Sequence, residues 1–114
     1  MAQYLITLYR NKGFDPEVTV DENMLNAIKK LNADMVEAGV RVFVGGLKSP
    51  EYAKSIRLGS DGDMTLADGL YLDQSEFVDG LWVIDVPDMV TAEEWARKAV
   101  LACRASVEIR PFYG

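Results

Sequence analysis

LWVIDVPDMVTAEEWARKAVLACRASVEIRPF, Leu81–Phe112, is the stretch that decides the fold. Leu81 to Val86 is short, β-branched and aromatic, and apolar on both sides, which is the composition of a covered strand. Pro87 and Asp88 end it. Thr91-Ala92-Glu93-Glu94 has the form of a capping box, with Thr91 as the cap and Glu94 reaching back. Ala92, Trp95, Ala96, Ala99 and Cys103 then share one helical face, which places Trp95 and Cys103 in the core. Val107 to Phe112 closes as a strand whose end Pro111 weakens. The stretch is a β-α-β unit.

The first half repeats the plan. Tyr4 to Tyr9 reads YLITLY, apolar on both faces like a central strand. Arg10 to Val18 is polar, holds Gly13 and Pro16, and reads as a loop. Thr19-Val20-Asp21-Glu22 matches a second capping box, although Asp21 serves nearly as well as the cap. Met24, Ile28, Leu31 and Met35 line one face of a helix from about Val20 to Ala38, and Gly39 suits its left-handed stop. Val40, Val42 and Val44 alternate with Arg41 and Phe43 as a second strand. Further on, Asp61-Gly62 lies between Ser55–Ser60 and Asp63–Asp68, the signal of a hairpin with a two-residue turn. Asp68 to Val78 has no steady period and reads as an irregular loop, a place where function collects.

The resulting order is β-α-β, a hairpin, then β-α-β. This predicts one α+β domain over residues 1–114, ferredoxin-like βαββαβ with an inserted β-hairpin. Two helices cover one face of such a sheet. Strands apolar on both sides demand cover for the other face as well, and a second copy of the sheet is the simplest supply. Homodimerisation through the sheet faces is therefore expected.

Charge and composition narrow the function. The 114 residues carry 18 acidic against 12 basic side chains, a net charge of −6, which disfavours a nucleic-acid partner. No apolar run approaches the ~20 residues that span a bilayer, so no membrane partner is expected. The single Cys103 allows no intramolecular disulfide and suits a reducing cytoplasm. Histidine is absent, which removes the usual general base, the commonest metal ligand and the usual catalytic triads. The expectation is no cofactor and no metal.

Asp68-Gly69-Leu70-Tyr71-Leu72-Asp73-Gln74-Ser75-Glu76 resembles the signature of the YCII-related proteins of the DGPF type, an Asp-Gly-Pro-Phe stretch followed by an acidic residue and a Lys-Glu pair. Leu70 stands for the proline, Tyr71 for the phenylalanine and Ser75 for the lysine. Gly80 sits where the family glycine precedes its strand, and Val107-Glu108-Ile109-Arg110-Pro111 is similar to the closing Val-Glu-Val-Arg-Pro. The resemblance implies a dimeric α+β barrel with a pocket near each junction of sheet, helix and loop. Its wider superfamily includes cofactor-free monooxygenases and muconolactone isomerases. Some members carry a His–Asp pair with the histidine in the first helix, which this chain cannot supply. Some relatives accompany alternative sigma factors, which implies an adaptor role by analogy.

Asp68, Asp73 and Glu76 place three carboxylates within nine residues. Crowded in a pocket, one of them would gain a raised pKa and act as acid–base group. Left in solvent, they make an acidic loop with Asp68 capping a turn. Their spacing does not match a calcium loop. Arg57 and Arg110 fall on strands, where an arginine can clamp an anionic ligand or pair with an acidic neighbour, as Arg110 could with Glu108. Tyr71 would add a hydrogen-bonding wall. Tyr4, Tyr9 and Trp82 fit a pocket wall or the core. The functional expectation is a small-molecule-binding protein, with a cofactor-independent enzyme acting on a small organic acid or aromatic compound as its catalytic form. The alternative is a non-catalytic, homodimeric interaction module linked to transcription regulation.

Overall fold

The computed structural model describes residues 2–114. Strand β1 (Ala2–Asn11) is longer than YLITLY and carries Arg10 inside it, where the sequence suggested a loop. A single helical turn, α1 (Pro16–Thr19), follows, with Asp15 accepting from the Glu17 N–H. Helix α2 (Glu22–Glu37) begins two residues later than expected. Its cap is Asp21, which accepts from the Met24 N–H at 2.8 Å, because Thr19 is used up in α1. Gly39 has φ 72°, the left-handed stop expected for it.

Strand β2 (Arg41–Gly46) keeps Val44 towards the helices, but a bulge between Arg41 and Phe43 turns Val42 out to solvent. A 3-10 turn at Pro50–Tyr52 leads to β3 (Lys54–Leu58) and β4 (Met64–Asp68). Their connection is not a two-residue turn. Gly62 N–H reaches Gly59 O, Gly59 N–H reaches Asp63 O, and Asp63 N–H bonds the Asp61 carboxylate. Ser60, Asp61 and Gly62 form a three-residue loop, and Gly62 takes the left-handed position at φ 89° that such a loop requires.

Strand β5 (Glu76–Val86) starts five residues before the expected Leu81, which shortens the irregular loop to residues 69–75. Gly80 lies within it rather than ahead of it. A Cβ there would meet the Gly45 carbonyl oxygen at 3.2 Å, so the glycine lets β2 and β5 approach. Helix α3 (Met89–Cys103) is capped by Asp88, not Thr91. The Asp88 carboxylate accepts from both the Thr91 N–H and the Thr91 hydroxyl. Strand β6 (Val107–Pro111) closes the chain.

The main sheet runs β2-β5-β1-β6 with every neighbouring pair antiparallel, the ferredoxin-like order. Ile6, Ile84, Val86, Met35 and Cys103 are buried between it and the helices. Ala92, Ala96, Ala99 and Ala102 let α3 lie close to the sheet. Trp95, expected in the core, is half-buried at its margin with Lys98 over its ring. Among the described residues no helix covers the opposite sheet face. Leu5, Thr7, Leu81 and Val83 stay half-buried there and Phe43 is exposed. The hairpin β3–β4 forms a separate two-stranded sheet. Ile56 pairs with Leu66 and Leu58 with Met64, which gives one of its faces four exposed apolar side chains. No helix among the described residues is long and apolar enough to cross a membrane.

Candidate functional site

Strand β1 alternates Tyr4, Ile6 and Leu8 towards the helices, and the same alternation carries Arg10 inward. Its side chain is only 7% exposed. A buried guanidinium needs partners, since its desolvation costs several kcal/mol. Three are present. Nη1 donates to the Cys103 carbonyl oxygen at 2.8 Å, placing the cation at the C-terminus of α3, where the helix dipole favours it. The Phe14 ring lies with its centroid 4.4 Å from the guanidinium carbon. The Asp79 carboxylate sits 3.6 Å from Nε, close enough for ion pairing but too far for a hydrogen bond. Arg10 Nε is accordingly buried without a hydrogen-bond partner.

A β-bulge brings Asp79 there. Leu8 stands opposite Gly80 and Tyr9 opposite Val78, so Asp79 is the extra residue of β5. Strict alternation after Gly80 would send it to the open face of the sheet. The bulge turns it towards the side of Leu8 and Arg10 instead. Its backbone carbonyl accepts from the Leu47 N–H, which ties the bulge to the end of β2.

These groups border a cleft of about 240 Å³ between the sheet, α1 and α2. Phe14, Val20, Ile28, Val44 and Trp82 give it apolar walls. Trp82 donates its indole N–H to Asn32 Oδ1 at 3.0 Å, which orients the amide and leaves its NH2 group as a donor. Cys103 also borders the cleft, and burial pushes its thiol up from the ordinary value. It is thus protonated and a poor nucleophile. The arrangement can hold an apolar body and offer hydrogen-bond donors to it.

The expected site residues lie elsewhere, and of them Arg57 and Tyr71 come together while the three carboxylates and Arg110 do not join them. Asp68 is 86% exposed and bonds its cross-strand neighbour Lys54 at 2.6 Å. Asp73 is 84% exposed and pairs with Lys12, whose hydrogen bond holds its carboxyl below the ordinary value, opposite to the rise that crowding would cause. Glu76 opens β5 opposite Asn11 and borders a separate, polar cleft with Lys12 and Arg104. Among the described residues no three Asp, Glu or Cys side chains gather as a metal site. Arg57 is held by Tyr71. Its Nη1 donates to the Tyr71 hydroxyl and its Nη2 to the Tyr71 carbonyl, each at 3.1 Å, and its guanidinium lies over the ring. Arg110 is exposed on β6 opposite Leu5, and it makes no ion pair with Glu108 among the described residues. Tyr4 and Trp82 are core residues of the helix side, and Trp82 also walls the cleft. Arg10 and Asp79 escaped the sequence. The continued alternation Tyr4-Ile6-Leu8-Arg10 was the signal for the first, and nothing local announced the second.

A family model described as YCII-related domain matches residues 2–113 of the chain. No curated protein matches the chain.

Proposed function

The chain belongs to the YCII-related family, and we propose that it is a small-molecule-binding protein whose ligand, a small organic acid or aromatic compound, enters the cleft beside Arg10. The observation that carries the reading is an apolar cleft bordered by Arg10, whose buried Nε has no hydrogen-bond partner. The structural contacts of Arg10 account for its charge and for Nη1. They leave Nε–H unanswered, and a native fold seldom strands a buried donor. A ligand acceptor would answer it once a small shift of the Arg10 side chain opens Nε, sealed from solvent as it stands, to the cleft, while the aromatic and aliphatic walls hold the rest of the molecule.

Proton chemistry in the cleft would fall to Asp79, since Cys103 is held as a thiol and no histidine exists. It would need no cofactor. The exposed loop carboxylates, each drawn to its own surroundings, support a role in solvation and loop anchoring. We extend the proposal to a homodimer, because the helix-free sheet face exposes an apolar surface that a second copy would cover.

The test is ligand stabilisation. A panel of small aromatic acids and carbonyl compounds should raise the melting temperature of the wild type. Arg10→Met, which keeps the volume but not the donor, should abolish the rise, while Asp73→Asn should keep it. A rise that persists in Arg10→Met would remove Arg10 from the site.

A further inference from the structure

We infer that the cleft selects an uncharged ligand, an aromatic or branched apolar body carrying a carbonyl-type acceptor, in preference to the corresponding carboxylate. The inference rests on the reading of the cleft as a ligand site and decides between the two chemical classes that reading admits.

Arg10 looks at first like an anion clamp, but its charge is already matched. Asp79 Oδ2 lies 3.6 Å from Nε, and Asp79 is the one carboxylate among the residues described along the lining. The pair is electrically neutral as it stands. An acceptor oxygen bonded to Nε at about 2.9 Å would lie within about 6.5 Å of Asp79 Oδ2, given the 3.6 Å from that oxygen to the same nitrogen. If that acceptor belonged to a carboxylate, the site would hold two anions and one cation between apolar walls, where charges are poorly screened. The ligand would also lose its hydration on entry. A net charge of −6 on the chain adds to the disadvantage of an anion.

A ketone, aldehyde or ester meets none of these costs. It takes the Nε–H hydrogen bond, and the Asn32 amide, its Oδ1 already bonded to Trp82, provides a second donor on the same lining. Phe14 and Trp82 offer aromatic surface to the rest of the molecule. Donors without a net charge, set in an apolar cleft, recognise a neutral acceptor.

Acetophenone and benzoate, similar in size and differing in charge, test the inference on the full chain. Each is titrated at pH 7 and followed by the Trp82 indole N–H resonance. The expected result is a Kd for acetophenone at least tenfold below that for benzoate. Asp79→Asn, which leaves the Arg10 charge unmatched, should narrow or reverse the ratio. Benzoate binding as tightly as acetophenone in the wild type would overturn the inference while the cleft stood as a ligand site. If neither compound moves the Trp82 resonance up to its solubility limit, both the inference and the site reading fall. The wild-type comparison decides the matter by itself should Asp79→Asn not fold.

Discussion

Arg10 occupies a position where alternation after Tyr4, Ile6 and Leu8 would ordinarily set another apolar side chain. The substitution of a charge for a hydrophobe there is tolerated because the bulge at Asp79 supplies a counter-ion from the neighbouring strand and the end of α3 supplies a carbonyl. Removing the counter-ion should therefore be expensive. Asp79→Ala leaves a buried, unmatched guanidinium and should lower the unfolding free energy by about 3 kcal/mol. Asp73→Ala removes a closer, hydrogen-bonded ion pair, but on a carboxylate in full contact with water, and should leave the denaturation midpoint almost unmoved. Urea unfolding of the two variants beside the wild type measures the contrast. Equal effects would mean that burial does not separate the two pairs.

The helices show a related lesson one scale up. Asp21 caps α2 and Asp88 caps α3, and both carboxyls lie below their ordinary value, Asp21 chiefly through the Met24 N–H and Asp88 through the Thr91 N–H. A carboxyl whose folded pKa is depressed adds stability above its unfolded pKa, about 4, and loses it as the pH falls through the folded value. Melting temperature should thus drop on acidification below about pH 4. The double variant Asp21→Asn, Asp88→Asn, which keeps a capping oxygen without the titration, should show a shallower drop. Parallel acid slopes would detach the caps from the effect. The two capping residues also mark the limits of the sequence. Strands and helices were legible because their periodicity is local. The capping box at Thr91 misplaced the cap by three residues, because Asp88 already accepts from the Thr91 N–H, and of the two caps open at the first helix the structure takes Asp21. The hairpin at Asp61-Gly62 was found but its loop was one residue too short. The site was less legible than the fold. The loop from Asp68 to Glu76 drew attention by composition, whereas Asp79 acquires its role from a register shift between β1 and β5 that no local pattern encodes.

At the scale of the whole molecule, the chain is more extended than its length requires. Its radius of gyration is 16.1 Å, against about 13 Å for a compact chain of this length. The hairpin β3–β4 makes its extensive strand contacts within itself, and the sheet face without helices leaves Leu5, Leu81 and Val83 only half-covered. A homodimer that covers this face would have twice the 12.7 kDa chain mass by light scattering at micromolar concentration. Leu81→Lys, placing a charge at the centre of the face, should shift the population to monomer. A monomeric wild type would contradict the covered-face argument and leave the cleft on the other side of the sheet untouched.

The cleft itself is tested most directly by the Arg10 Nε–H resonance in a nitrogen-15 spectrum, recorded while acetophenone is added to the full chain. The account predicts a saturable shift of that resonance together with the Trp82 indole N–H, with the amides of the loop from Gly69 to Ser75 staying in place. Saturable shifts confined to that loop, with Arg10 unmoved, would contradict it.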